Sequence, residues 1–177
     1  MGRGIGKKGD IWVETIIYTL IAMTMIGAVL AFIVPKIDEF QDKSTIEQSV
    51  NLMKDVNNVI LSVVQGGPGN KRIVEAQIKK GALVIDGVNN NISFQMETDY
   101  VYSEFGTIVN IGNIKALTEK IGGTNKVVLT IDYDYEVTVN SDNKETKIEH
   151  SSNPYKISIE NKGEDVAGKT VIDIVVS

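Results

Sequence analysis

Apolar and polar residues follow three different patterns along the chain, and each pattern predicts a different kind of element. In the first, residues 15–34 contain no charged side chain and are mostly apolar on every helix face. A soluble amphipathic helix would show a polar stripe instead. The twenty residues of this segment would form roughly 30 Å of helix, which matches the hydrocarbon core of a membrane. The first pattern therefore predicts a membrane-spanning helix.

The second pattern begins after Pro35 and has the period of an amphipathic helix. The Gly-Gly-Pro-Gly sequence at 66–69 would end this helix, because glycine adopts the left-handed cap conformation and proline cannot continue a helix. We predict one helix over residues 11–64, kinked near Pro35 because proline removes a helical hydrogen bond. Its apolar stripe would pack on the chain's own globular domain. The stripe consists of Ile46, Val50, Met53, Val56, Ile60 and Val63.

The third pattern starts at residue 70, where short β-branched segments alternate with clusters of Gly, Asn and Asp. Turns at this density predict an antiparallel β-sandwich or a strongly curved sheet. Asp86-Gly87 reads as a tight turn, the Gly-Gly-Thr-Asn sequence at 122–125 as a hairpin connection, and Asn161 as the start of a longer loop. The predicted fold class is α+β, a long transmembrane helix followed by a β domain. The predicted strands are 72–78, 82–86, 92–97, 107–111, 114–121, 126–135, 136–139, 147–150, 155–160 and 170–176.

Composition limits the number of domains, the kinds of site and the classes of partner that this chain can have. The chain has 177 residues, room for one globular domain besides the membrane segment, and no cysteine for disulfides or thiolate metal sites. Removing Arg3, Lys7 and Lys8 from the 18 basic residues leaves 15 against 23 acidic ones, a net charge of −8 for residues 10–177. An acidic body disfavours nucleic acid as a partner. The basic N-terminus suits the cytoplasmic side of a membrane.

One carboxylate interrupts the apolar N-terminal region. Glu14 directly precedes the uncharged segment, and a charge buried in hydrocarbon costs on the order of 3 kcal/mol or more, so an ordinary anchor would avoid it. Trp12 fits the aromatic belt at a membrane surface. The sequence Lys7-Lys8-Gly9-Asp10, followed by Glu14 and an apolar helix, resembles the class III leader of type IV prepilins and archaeal prepilins. Asp10 stands where bacterial pilins favour Phe or Met and many archaeal pilins favour Gln.

The resemblance covers residues 3–64 and implies a function. It implies a leader at 1–9 that a prepilin peptidase removes between Gly9 and Asp10, a transmembrane and filament-core helix at 10–35, an amphipathic continuation at 36–65 and an extracellular β domain at 70–177. The subunit would wait in the cell membrane as a single-pass protein with its N-terminus in the cytoplasm. Assembly machinery with an ATPase and a membrane platform would then build a self-associating extracellular filament, with Glu14 acting in assembly.

Other interpretations of the same residues stay open. An ordinary secretory signal peptide would place its cleavage site near Ala28-Val29-Leu30-Ala31, although the apolar run continues past that site. A plain uncleaved anchor would give a single-span membrane protein that presents its β domain for adhesion or ligand binding. Within the pilin-like interpretation, an adhesive pilus, an archaellum-like filament and a secretion pseudopilin are all compatible with the sequence.

Catalytic and metal-binding chemistry finds little support, and we expect no enzyme and no cofactor. His150 is the one histidine of the chain, so histidine-based triads and metal sites lack their ligands. Asp132, Asp134 and Glu136 would share one strand face and have oxygen ligands suited to calcium, but a solvated face is the simpler interpretation. Asn91-Ile92-Ser93 is a glycosylation sequon, with Asn91 as the acceptor.

Cleavage of the leader generates the first prediction. Gly9→Val adds a branched side chain where, by analogy with the family, the peptidase pocket has no room for a Cβ atom. Full-length protein should then accumulate in the membrane, and coexpression with a prepilin peptidase should give no mobility shift on denaturing gels. Normal processing of Gly9→Val would remove the main support for a class III leader.

Overall fold

The architecture is one helix followed by strands. The computed structural model describes residues 7–177, with side chains from residue 12 onward. The helix, α1, lies at Lys7–Gln65. The predicted α+β class, a long N-terminal helix followed by a β-rich domain, is confirmed. The strands that follow it are Lys71–Ala76 (β1), Ala82–Asp86 (β2), Asn91–Thr98 (β3), Ile108–Ile111 (β4), Ile114–Ile121 (β5), Thr124–Asp132 (β6), Glu136–Val139 (β7), Glu145–Glu149 (β8), Tyr155–Glu164 (β9) and Thr170–Val176 (β10).

The strands of this described part of the chain form two sheets. The four-stranded sheet has the order β1-β9-β10-β7, and the six-stranded sheet has the order β4-β5-β6-β3-β2-β8. Neighbouring strands pair antiparallel, except β7 and β10, which run parallel. The sequence-based prediction of an antiparallel β domain is therefore correct, with one parallel pair that the pattern did not reveal.

The chain divides into two compact units. One extends to Phe40, and the other is Gln41–Ser177. The second unit contains residues 41–65 of α1 together with both sheets, so the C-terminal part of the helix belongs to the globular domain.

The apolar stripe of α1 lies in the core of that domain. All six stripe residues are at most 6% exposed, and they form one cluster with inward-facing residues of both sheets, such as Phe94, Leu129 and Ile159. The prediction that the stripe packs on the chain's own domain is confirmed. Burial of each large side chain contributes about 1.5–3 kcal/mol, so these contacts fix residues 46–63 to the sheets.

α1 ends at Gln65, directly before the glycines that were predicted to end it. Gly67 has a φ of +79°, a left-handed conformation that residues with a Cβ atom rarely adopt. The Gly66 amide donates to the Ser62 carbonyl at 3.0 Å and the Gly67 amide to the Val64 carbonyl at 3.1 Å. These bonds satisfy two carbonyl groups that a helix end otherwise leaves unpaired.

Most predicted strand positions agree with the structure, and β2, β5, β7 and β10 match at both ends. The hairpin predicted at residues 122–125 joins β5 to β6, but its turn consists of Gly122-Gly123 alone, since Ile121 pairs with Thr124. Gly122 has a φ of +60°, as the favoured two-residue hairpin turns require.

The loop predicted to start at Asn161 is wrong, because β9 continues to Glu164 and the turn to β10 lies at residues 165–169. Asn161 is only 3% exposed, and its backbone forms hydrogen bonds with Gly69 and Asn70 at 2.7 and 2.9 Å. Its side chain accepts from the Gly163 amide at 2.8 Å. Tertiary contacts therefore hold a turn-favouring residue in a strand.

The buried stripe generates a stability prediction. Met53 is 0% exposed, so Met53→Ala should leave a cavity and lower the free energy of unfolding by roughly 2–5 kcal/mol. The exposed neighbour provides the control, and Lys54→Ala should change the free energy by less than about 0.5 kcal/mol. Urea titration of the full chain in detergent micelles measures both. Equal stability of the two variants would contradict the burial of the stripe.

Candidate functional site

The N-terminal half of α1 presents apolar side chains on all its faces. Each residue from 12 to 38 is exposed, including Trp12 at 74%, Leu20 at 67% and Phe32 at 74%. One window of 18 residues near the N-terminus reaches a mean hydropathy of 2.4 and is 0% buried. This helix is long and apolar enough to span a membrane. An apolar surface of this extent marks contact with lipid or with protein.

Two threonine hydroxyls of this segment have hydrogen-bond partners within the helix. Thr19 Oγ1 donates to the Thr15 carbonyl at 2.8 Å, and Thr24 Oγ1 donates to the Leu20 carbonyl at 2.7 Å. Both bonds reach back four residues along the helix, a pattern open to threonine without leaving the helix. In hydrocarbon each polar group must find such an internal partner, so the two threonines are compatible with an apolar environment.

Glu14 is the exception in this surface. Its carboxylate is exposed on the helix beside Ile17 and Tyr18, and among the side chains from residue 12 onward none pairs with it. Gly9 and Asp10 lie within the helical backbone of α1, but their side chains and residues 1–6 of the predicted leader are outside the described residues. The structure therefore places Glu14 and leaves its pairing with the Asp10 amine as a prediction.

Pro35 lies inside α1, and the helix continues through it. Just after it, Lys36 Nζ and Glu39 Oε2 form an ion pair at 2.8 Å, an exposed contact that contributes at most about 1 kcal/mol. The long helix was predicted correctly, while the kink at Pro35 stays a prediction.

Residues 41–65 of α1 belong to the globular unit, and we call them the domain part of α1. Asp42 anchors the start of this part to the β domain. Its Oδ2 accepts a hydrogen bond from Thr98 Oγ1 at 2.7 Å, and its Oδ1 pairs with Lys80 Nζ. The Asp42 side chain is only 13% exposed, and Thr98 is 3% exposed. Local sequence patterns could not reveal this contact, because Asp42 and Thr98 lie 56 residues apart in the chain.

A cavity of about 350 Å³ opens beside the C-terminal half of α1. The Tyr133 and Tyr135 rings stack there with centroids 6.4 Å apart. Tyr133 Oη is buried without a hydrogen-bond partner among the described residues, and burial raises the pKa of Tyr133. A buried hydroxyl without a partner costs about 1–3 kcal/mol. The lining residues are Asn57, Leu61, Asn113, Ile131, Asp132, Tyr133, Asp134 and Tyr135.

The three carboxylates predicted to share one strand face do not do so. β6 ends at Asp132 in the six-stranded sheet, while Glu136 starts β7 in the four-stranded sheet. Residues 133–135 connect the two sheets. The Tyr133 amide donates to the Asn90 carbonyl at 2.9 Å at the start of this connection. Asp132 pairs with Lys115 at 2.8 Å. Among the described residues, no group of three or more Asp, Glu or His is arranged to hold a metal ion.

The other candidate residues have local roles. His150 Nδ1 is 3.0 Å from the Ile78 carbonyl, so its N–H group donates a structural hydrogen bond. Asn91 begins β3 and is half-buried, and Ser93 of the same sequon is 6% exposed. Glycosylation of Asn91 stays a prediction.

No protein-family model, curated protein or solved structure matches this chain.

Loss of the Asp42 anchor generates the next prediction. Asp42→Ala leaves the buried Thr98 hydroxyl without its acceptor and should lower the free energy of unfolding by about 1–3 kcal/mol. Asp42→Asn keeps an acceptor and should cost less. Asp55→Ala, an exposed carboxylate on the same helix, serves as the control in urea titrations. If Asp42→Ala and Asp55→Ala unfold alike, Asp42 is no anchor.

Proposed function

We propose that this chain is a structural subunit of a type IV pilus-like surface filament, assembled through its N-terminal helix. The observation that carries the proposal is the exposed apolar surface of residues 15–34, which surrounds the helix and directly follows the single carboxylate of Glu14. A subunit that passes from lipid into a helical filament needs a helix that is apolar on all sides in both environments.

Charge gives the orientation in this proposal. Arg3, Lys7 and Lys8 lie at the N-terminus and would stay in the cytoplasm, as the positive-inside rule expects. A prepilin peptidase then cuts between Gly9 and Asp10. The cut matters physically, because three cations would otherwise enter an apolar filament core at high cost.

Glu14 has a specific role in assembly. After cleavage, the new amine of Asp10 in one subunit pairs with the Glu14 carboxylate of its neighbour. Removing one partner of such a buried pair costs roughly 3–5 kcal/mol, because the other charge stays buried and uncompensated. The pair therefore selects the register between subunits more than it adds stability.

The domain part of α1 supports this function in a different way. Residues 46–63 are held in the core of the β domain, and Asp42 adds a polar anchor. A force applied to this part of the helix is therefore transmitted to both sheets. The assembly ATPase and membrane platform would extract the subunit by its helix, and the folded domain would follow.

The second candidate is a single-span membrane protein that presents its β domain for adhesion or ligand binding. The cavity beside Tyr133 and Tyr135 favours it, because ligand sites are concave and combine apolar walls with a few polar groups. The two candidates differ in one respect: only the filament subunit leaves the membrane as a polymer.

Glu14 separates the two functions. Glu14→Leu removes a charge that is costly in lipid, so membrane insertion and leader cleavage should proceed at least as well as in the unchanged chain. Filament yield in the sheared extracellular fraction should fall at least about tenfold, the change that corresponds to 1.4 kcal/mol. Immunoblots of membrane and sheared fractions measure both quantities.

Two further variants sharpen this experiment. Glu14→Gln keeps the shape and loses the charge, so its filament yield should be intermediate if the pairing is ionic. Asp38→Leu removes an exposed carboxylate of the same helix outside the apolar segment and should leave the yield unchanged. An unchanged filament yield from Glu14→Leu would refute the pairing and favour the membrane-anchored protein.

A further inference from the structure

We propose that the cavity beside Tyr133 and Tyr135 binds a neutral saccharide by combining an aromatic wall with amide and carboxylate hydrogen bonds. The cavity lies wholly within the Gln41–Ser177 unit. This inference does not depend on filament assembly, because a membrane-anchored β domain would present the same site. We call the cavity the tyrosine pocket.

The tyrosine pocket brings together segments that are distant in sequence. Asn57 and Leu61 come from α1, Asn113 from the turn between β4 and β5, and Tyr135 from the connection between β6 and β7. Its volume of about 350 Å³ falls in the range of small-molecule sites, which is about 300–1,000 Å³. The pocket is therefore large enough for a monosaccharide unit.

Asn57 gives the clearest sign of a ligand. It is only 7% exposed, yet its side-chain amide forms no hydrogen bond with another described residue. Its polar atoms are not fully enclosed, and Asn57 lines the pocket, so a ligand there can reach its amide. Buried polar groups are normally hydrogen-bonded, and an asparagine amide both donates and accepts.

The charges of the tyrosine pocket select the kind of ligand. Two carboxylates disfavour an anion, and Asp132 is already paired with Lys115 at 2.8 Å. Asp134 forms no ion pair with a described residue and can accept hydrogen bonds. The amides of Asn57 and Asn113 offer donors as well, which a cationic ligand could not use. Groups that donate and accept side by side match the hydroxyls of a neutral sugar.

The apolar walls complete the match. Leu61 is 38% exposed, and Tyr135 is half-buried and stacked on Tyr133. A pyranose ring has an apolar C–H face that packs against aromatic and aliphatic side chains, while tyrosine also presents a polar hydroxyl at the same place. A sugar would thus cover the exposed part of this apolar wall.

Saturation-transfer NMR tests the proposal on the full chain in polyoxyethylene detergent, which contains no sugar. The probes are the methyl glycosides of glucose, galactose, mannose and N-acetylglucosamine, each titrated at millimolar concentrations. At least one should bind with a dissociation constant on the order of 1 mM, since an open site gives modest affinity. Tyr135→Ala and Asn57→Ala should each weaken that binding about tenfold or abolish it.

Matched controls separate binding from folding. Asn58→Ala changes the adjacent exposed asparagine, and Tyr155→Ala changes a half-buried tyrosine of β9 outside the pocket; both should bind as the unchanged chain does. Near-ultraviolet circular dichroism should show that Asn57→Ala stays folded. Absence of binding by all four glycosides, or binding that Asn57→Ala leaves unchanged, would overturn the proposal. Binding of tetramethylammonium in their place would overturn the assignment to a neutral ligand.

Discussion

The exposed apolar surface of the N-terminal half of α1 is the feature that any function of this chain must accommodate. Covering apolar surface contributes about 25 cal/mol per Å², so a helix that is apolar on every face is unstable in water without a partner. Thr19 and Thr24 satisfy their hydroxyls within the helix, which removes their need for solvent. Lipid and the helices of other subunits are the two environments that cover such a surface, and the proposed filament subunit uses both in turn.

The C-terminal half of the same helix meets the opposite constraint. Its apolar side chains form a stripe, and the two sheets of the β domain bury that stripe. Asp42 adds a hydrogen bond and an ion pair near the start of this half. The N-terminal half of α1 therefore needs lipid or another protein to cover its apolar side chains, whereas the chain's own sheets cover the stripe in the C-terminal half. A domain fixed to an apolar helix in this way can be displayed from a membrane or from a filament.

Local patterns predicted the fold well but could not reveal contacts between distant segments, because such contacts depend on how the whole domain packs. Helical period, alternation and glycine turns are local, so α1 and the strand positions could be predicted from sequence. Asn161 was wrongly predicted to start a loop. Its strand conformation depends on hydrogen bonds with Gly69 and Asn70, which are distant in sequence and leave no local pattern. The tyrosine pocket could not be predicted either, since Asn57 and Tyr135 meet only after the sheets pack on the helix.

N-terminal sequencing of the protein sheared from the cell surface distinguishes a filament subunit from a secreted domain and from a plain membrane anchor. We expect the sheared material to be polymeric and to begin at Asp10, with the filament-core helix at 10–35 retained. A mature chain that begins after Ala31 would show that the apolar segment is a secretory signal, and full-length chains confined to the membrane would show that it is a plain anchor. Either result would contradict a filament assembled through the N-terminal helix.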